Sequence, residues 1–91
     1  MAKKRSKLEI VYAILDNIKA RNGKIKPTHI LYKSNLSYQM MEHYLEELKN
    51  NGLIVELKIK SGRTYAITEK GLAYLDKYKL IADFAETFGL G

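Results

Sequence analysis

Residues 28–68 read THILYKSNLSYQMMEHYLEELKNNGLIVELKIKSGRTYAIT, and the spacing of the apolar residues changes within this stretch. In the first part they repeat every three or four positions, which predicts helices. From Leu53 onward they alternate with polar residues, which predicts strands joined by a two-residue turn at Ser61-Gly62. The predicted elements, in chain order, are helices at 28–35 and 37–50 and strands at 53–60 and 63–68. This order is that of a winged helix-turn-helix, in which a helix enters a DNA major groove and the hairpin tip reaches nearby phosphates.

Local signals mark the ends of the two helices. Thr28 is a candidate N-cap for the first helix, and Asn35 ends it. Ser37 is the expected N-cap of the second helix, because a serine hydroxyl accepts a hydrogen bond from a free backbone N–H. Asn51-Gly52 is a strong stop signal, since both residues tolerate the backbone angles that follow a helix.

The hairpin is expected to have one buried face. Alternate residues of a strand point to the same side of a sheet, and the apolar residues of the first strand lie at alternate positions. The return strand is expected to continue this face. The predicted buried set is Val55, Leu57, Ile59, Tyr65 and Ile67.

Another helix is predicted before this stretch. Ser6 and Glu9 have the spacing of a capping box, and Asn22-Gly23 ends the helix. Residues 1–5 are predicted to form a flexible basic arm. The apolar stripe expected to face the core is Leu8, Val11, Leu15 and Ile18, widened by Ile10 and Ile14.

A C-terminal helix is expected from the cap residue Thr68 to about Phe88. Five of its residues are spaced four, three, four and three apart, which is the seam of a coiled coil. They predict a dimer interface formed by a short antiparallel helix pair, although one helix folded back on its own domain is the alternative. The seam residues are Tyr74, Tyr78, Ile81, Ala85 and Phe88. The chain therefore divides into the arm (1–5), a winged-helix domain (6–68) and a dimerisation helix (69–91), in a mostly helical α+β fold.

The charge distribution favours a polyanionic partner. The net charge is +6 and the sequence pI is about 9.5. Residues 1–33 carry nine Lys or Arg against two acidic residues, and residues 58–70 carry four against one. Residues 34–57, by contrast, carry four Glu and one Lys. Positive charge is thus concentrated on both sides of the second helix of the pair, while that helix is acidic.

The predicted phosphate contacts are Lys58, Lys60 and Arg63 at the hairpin tip, with Lys33 beside the groove. Cations that neutralise phosphates release counterions, so binding through them weakens steeply with salt. The alternative is that these are ordinary charges that protect an edge hairpin from aggregation.

The helix at 37–50 supplies the predicted base contacts. Gln39 can pair with adenine and His43 can donate to a base or a phosphate, while Ser37 and Tyr38 are expected to touch the DNA backbone. Its three glutamates repel phosphates, so only the N-terminal half is expected to enter the groove, where the helix dipole favours an anion. The alternative is a solvated face without a ligand.

Four motifs together give the chain a family resemblance. They are N-L-S-Y at Asn35–Tyr38, Y-L-x-x-L at Tyr44–Leu48, G-L-I at Gly52–Ile54 and Y-x-I-T-x-K-G at Tyr65–Gly71. In this combination the chain resembles small archaeal winged-helix regulators and the basic 10a DNA-binding proteins of Sulfolobus. The resemblance implies a homodimer joined by an antiparallel coiled coil of C-terminal helices, and double-stranded DNA binding in a chromatin-associated or regulatory role.

An enzyme is not expected, because His29 and His43 have no metal spacing and no nucleophile motif is present. Cysteine is absent, which excludes disulfides and thiolate metal sites, and no cofactor is expected. No apolar stretch approaches a membrane span, so a cytoplasmic, nucleoid-associated protein is expected. The sequence predicts a dimeric, double-stranded DNA-binding transcription regulator or architectural chromatin protein. The alternative is a winged-helix module that binds another protein.

Overall fold

The computed structural model describes residues 6–89. The predicted basic arm at 1–5 and the last two residues of the predicted dimerisation helix lie outside the described residues. Four helices and one two-stranded antiparallel sheet confirm the mostly helical winged-helix prediction. The elements are α1 (Lys7–Ala20), α2 (Pro27–Ser34), α3 (Tyr38–Asn50), β1 (Ile54–Ile59), β2 (Gly62–Ile67) and α4 (Glu69–Thr87).

The first helix, α1, begins with the predicted capping box. The Ser6 hydroxyl accepts a hydrogen bond from the Glu9 backbone, and the Glu9 side chain accepts one from the Ser6 backbone. The prediction that Leu8 faces the core is wrong, because its side chain is 59% exposed. It lies in the first turn, ahead of the part of α1 that packs on the other elements. The buried residues of α1 are Ile10, Val11, Ile14, Leu15 and Ile18.

The helix-turn-helix is formed by α2 and α3. The predicted cap Thr28 is wrong: Lys26 is the N-cap of α2 and Pro27 its first residue. Proline suits this position because it has no N–H to leave unpaired and its φ is already helical. Asn35 ends α2 in the left-handed region, at φ 55°, and Ser37 then caps α3 by accepting from the Met40 backbone, as predicted.

The hairpin turns at Lys60-Ser61, one residue earlier than predicted, because Ile59 pairs with Gly62. A two-residue turn pairs odd-numbered residues of β1 with even-numbered residues of β2. Tyr65 therefore lies opposite Glu56, on the other face of the sheet from Leu57. The structure buries Tyr65 and leaves the β1 side chains on the other face exposed, whereas Thr64 of β2 on that face is buried.

The predicted buried face of the hairpin is accordingly wrong for its first strand. The side chains of Val55, Leu57 and Ile59 are 44%, 41% and 44% exposed. Tyr65, by contrast, is buried as predicted and is joined to Ile25 by an isolated bridge, so the connector before α2 pairs with β2 at this one position.

The start of α4 is fixed tightly to the end of α3. The Thr68 hydroxyl caps α4 at Gly71 and also donates to the Gly52 carbonyl at 2.6 Å. Gly71 is buried, and a Cβ there would collide with the Leu53 carbonyl oxygen and with the Ile67 side chain. Only glycine fits this contact, which sets the direction in which α4 leaves the sheet.

The first half of α4 packs on α1, whereas its second half is exposed. Leu75 is buried, the Tyr74 hydroxyl donates to the Leu8 carbonyl at 3.0 Å, and the Tyr78 ring stacks on Tyr12 with centroids 4.5 Å apart. Beyond Tyr78 four large apolar side chains are between 63% and 69% exposed. These are Leu80, Ile81, Phe84 and Phe88.

Replacing Gly71 with alanine should destabilise the fold. The added methyl group overpacks a site bounded by backbone, which costs about 1–3 kcal/mol, and each kcal/mol lowers Tm by roughly 4–8 °C in a chain of this size. Thermal unfolding followed by circular dichroism measures the effect. Gly89→Ala is the control, because a Cβ there meets no described atom, although the positive φ of 72° adds some strain. A Gly71→Ala variant as stable as Gly89→Ala would contradict the close contact.

Candidate nucleic-acid interface

The exposed side of α3 carries the two predicted base-reading residues. Met41, Leu45 and Leu48 are buried against the body of the protein. Gln39 and His43 are exposed, one helical turn apart and on the side opposite this core. The structure therefore presents both predicted residues on one accessible face.

Met40 also belongs to this surface and was not predicted. Its side chain is 47% exposed and lines a shallow open groove with Gln39, His43 and Tyr44. Such a thioether offers apolar contact, of the kind that a thymine methyl group accepts in a major groove. Its exposure could have been predicted from the spacing, since Met40 falls outside the apolar stripe formed by Met41, Leu45 and Leu48.

The N-terminus of α3 lies beside the hairpin tip. Tyr38 is 59% exposed and shares an open groove with Lys26, Thr28 and Ser61. The Lys26 ammonium donates to the Ser61 hydroxyl at 3.2 Å, which connects the start of α2 to the turn of the hairpin. The Ser37 hydroxyl is already used as the helix cap. Two predicted backbone contacts thus lie close to the hairpin, as a single binding surface requires.

The glutamates of α3 are paired within the protein. Glu42 is bonded to Arg63, Glu46 lies 3.2 Å from Lys49, and Glu47 lies 2.7 Å from Lys7. The hydrogen bond from the Lys7 ammonium lowers the pKa of the Glu47 carboxyl, so this group is ionised at neutral pH. The unfavourable charge of α3 is therefore partly compensated by cations from α1, α3 and the hairpin.

The predicted cations of the hairpin differ in their surroundings. Lys58 and Lys60 are exposed, and neither has an acidic partner within residues 6–89. Arg63 is half-buried: it is bonded to Glu42 and lies 3.7 Å from Glu56. Lys33, on the last turn of α2, is exposed. Three of the four predicted phosphate contacts are thus accessible, and the fourth is held by carboxylates.

The predicted dimer residues also divide into two groups. Tyr74 and Tyr78 are half-buried against α1 of the same chain, and Ala85 is half-buried. Ile81 and Phe88 are exposed. The prediction did not include Leu80 and Phe84, which are equally exposed; the Phe84 and Phe88 rings lie 4.8 Å apart.

A model of the winged helix-turn-helix family matches residues 4–86. The chain belongs to this family. An uncharacterized protein of Methanocaldococcus jannaschii is 34% identical over 74 residues, a match that covers 81% of this chain and 32% of that protein. The chain therefore spans about a third of that relative's length.

Among solved structures, this chain is similar to Sso10a-2, a DNA-binding protein from Sulfolobus solfataricus. The TM-score is 0.76 at 24% identity, covering 92% of this chain and 85% of the other. The predicted resemblance to the Sulfolobus 10a proteins is thereby confirmed at the level of fold. Two bacterial regulators are also similar, each longer than this chain. PcaV from Streptomyces coelicolor, in complex with its natural ligand, has a TM-score of 0.77 at 16% identity, covering 96% of this chain and 62% of that one. A mutant of MepR from S. aureus bound to an oligodeoxyribonucleotide has 0.74 at 14%, covering 87% and 60%.

No helix within residues 6–89 is long and apolar enough to cross a membrane. No group of three or more metal-ligating side chains converges there.

Stability should fall at alkaline pH because of Tyr65. Burial raises the pKa of this phenol from 10.0 to about 12, while the neighbouring Arg63 opposes the rise. Above pH 10 the unfolded phenol ionises and the folded one does not, so the free energy of unfolding decreases as pH rises from 10 to about 12. Urea unfolding at several pH values measures this decrease, which should be smaller in Tyr65→Phe. Tyr32→Phe, at a side chain that is 91% exposed, should keep the wild-type decrease. Equal curves for all three proteins would contradict the assignment.

Proposed function

We propose that the protein is a dimeric, double-stranded DNA-binding transcription regulator or architectural nucleoid protein of the cytoplasm. In this proposal residues 6–68 contact DNA and residues 69–91 join two copies. One observation supports it most: Lys58 and Lys60 are exposed without acidic partners within residues 6–89, and Ser61, next to Lys60, shares a groove with Tyr38 at the start of α3. A surface of this kind places cations where phosphates flank a major groove.

Each part of the surface has a distinct role. Lys33, Lys58 and Lys60 neutralise phosphates, and they set affinity and its dependence on salt. Ser37 and Tyr38 touch the DNA backbone at the positive end of the α3 dipole. The base edges are read by Gln39 and His43, with Met40 against a thymine methyl group. Arg63 was predicted as a further phosphate contact, but in the structure it is paired with the carboxylates of Glu42 and Glu56.

The related structures support this assignment by analogy. Sso10a-2 is described as a DNA-binding protein, and the MepR mutant is bound to an oligodeoxyribonucleotide. Both superpose on most of this chain, with TM-scores of 0.76 and 0.74. A shared fold does not carry function by itself, so the proposal depends on the surface described above.

The dimer depends on the second half of α4. Four large apolar side chains there are more than 60% exposed, and a monomer would leave them in water. A second copy of the same helix, antiparallel to the first, would cover them. In this arrangement Ile81, Ala85 and Phe88 form the centre of the contact, and Tyr74 and Tyr78 mark the end at which α4 meets its own α1.

A protein-binding module is the second candidate, and one observation favours it. On the hairpin face opposite Tyr65, strand β1 presents Val55, Leu57 and Ile59, each more than 40% exposed. An apolar strip on a two-stranded edge is a common feature of surfaces that bind another protein. Duplex titration separates the two candidates, because only the first requires Lys58 and Lys60.

Removing the two hairpin lysines should weaken duplex binding and reduce its salt dependence. For Lys58→Ala with Lys60→Ala, the slope of log affinity against log salt should fall by about 1.8, because each neutralised phosphate contributes about 0.9. Fluorescence anisotropy of a labelled mixed-sequence duplex across a salt series measures the slope. The matched control is Lys77→Ala with Lys79→Ala on α4, two exposed lysines expected to leave the slope unchanged. Equal losses in both double variants would contradict a specific role for the hairpin.

Charged residues in the second half of α4 should abolish the dimer. Ile81→Asp with Phe88→Asp places like charges in the proposed contact, and we expect a monomer at micromolar concentration by sedimentation equilibrium. Tyr32→Asp is the control, since that side chain is 91% exposed on α2, outside the contact. A wild-type protein that sediments as a monomer at the same concentration would contradict the dimer directly.

A further inference from the structure

Charged side chains form a connected network between α3 and the hairpin. Arg63 on β2 is bonded to Glu42 on α3, and another of its nitrogens lies 3.7 Å from a carboxylate oxygen of Glu56 on β1. Lys49 on α3 lies 3.8 Å from the same Glu56 oxygen and 3.2 Å from Glu46. The network therefore joins α3 to both strands.

Arg63 is the centre of this network. Its side chain is 33% exposed, and its guanidinium lies 5.9 Å from the centroid of the Tyr65 ring. A planar guanidinium suits two carboxylates at once, which a lysine ammonium does not match as well. The exposed fractions of its partners are also low, 31% for Glu42 and 19% for Glu56.

Transfer of Arg63 to a DNA phosphate would be unfavourable. It would leave two partly buried carboxylates beside each other without the cation that compensates both. Lys58, the cross-strand neighbour of Arg63, is exposed and has no such commitment within the described chain. The two residues face each other in the ladder, yet only the lysine is available to a phosphate.

We propose that Arg63 is a positioning residue: through Glu42 and Glu56 it fixes the angle between the hairpin and α3, and it does not neutralise a phosphate. The inference rests on the proposed duplex binding and deepens it. Lys58 and Lys60 can reach phosphates while Gln39 and His43 reach bases only if this angle is held. Glu42, an acidic residue on the helix that enters the groove, then supports binding.

The inference predicts an unusual change in duplex affinity when Glu42 is neutralised. Removing a carboxylate from a DNA-facing helix ordinarily strengthens binding, because it removes repulsion of phosphates. If Glu42 holds the hairpin through Arg63, Glu42→Gln weakens binding instead. Glu46 is the matched control, since it lies one turn further along α3, is 62% exposed and contacts Lys49 of its own helix rather than a hairpin residue.

The test is duplex anisotropy across a salt series, at a temperature where unfolding curves show every variant folded. We expect Arg63→Gln and Glu42→Gln each to weaken binding by about three- to tenfold, with the salt slope unchanged. Glu46→Gln should bind as well as the wild type or more tightly. The double variant, Glu42→Gln with Arg63→Gln, should bind no more weakly than Arg63→Gln alone, because both substitutions break the same link.

Two results would overturn the positioning role. A salt slope lower by about 0.9 in Arg63→Gln, with losses of affinity that add up in the double variant, would assign Arg63 to a phosphate. Tighter binding by Glu42→Gln would mean that Glu42 only repels DNA or restrains Arg63.

Amide hydrogen exchange without DNA separates this inference from the proposed function. Arg63→Gln and Glu42→Gln should speed exchange in β1 and β2 relative to α1, and Glu46→Gln should not. Unchanged protection of the hairpin in the first two variants would overturn the positioning role, whatever the duplex data. Faster exchange in a protein whose wild type binds no duplex would support the link between α3 and the hairpin and would contradict the proposed function alone.

Discussion

The burial of Tyr65 beneath the hairpin is the contact on which the arrangement depends. A two-stranded hairpin is barely stable alone in water, so it needs support from the rest of the fold. Tyr65 supplies it: its side chain is only 2% exposed, its N–H donates to Ile25, and its carbonyl accepts from Gly23. The same residue thus joins the hairpin to the connector before α2 and to the core. Arg63, above the Tyr65 ring, extends this support to α3.

Because the hydrophobic core is small, polar contacts fix many of the angles between elements. A chain of this length buries a smaller fraction of its surface than a larger domain, so the angles between elements are less constrained by apolar packing. The junction of α3, the hairpin and α4 is fixed by hydrogen bonds from Thr68 to Gly52 and from Lys70 to Asn51, and by close packing at Gly71. Charged pairs play the same part on the side of α3 that faces the hairpin.

Sequence alone predicted the features that depend on neighbouring residues. The caps at Ser6, Ser37 and Thr68 were identified because each acts within three positions of its own helix. The error at Thr28 was also local: Pro27 is itself a helix-starting residue, so α2 begins one position earlier. The family resemblance rested on motifs of the same short range, and the fold confirmed it.

Features that depend on distant pairing were not predictable in the same way. Alternation showed which residues of one strand share a face, but not which face of the hairpin meets the core, because that depends on tertiary contacts such as those of Tyr65 with Ile25. The partner of Arg63 was missed because Glu42 lies 21 residues away in the sequence, on α3. Counting charges therefore placed Arg63 with Lys58 and Lys60, although its surroundings differ from theirs. The exposure of Leu80 and Phe84 could not be predicted either. The spacing of apolar residues shows which of them line up along α4, but not how far along α4 the contact with α1 extends.

Duplex recognition by this protein is tested most directly by an NMR titration of the ¹⁵N-labelled protein with a short DNA duplex. We expect the largest amide shift changes in two segments, residues 37–43 at the start of α3 and residues 58–61 at the hairpin turn. Changes confined to Val55, Leu57 and Ile59 or to α4, or no change at low salt, would contradict duplex recognition through α3 and the hairpin tip.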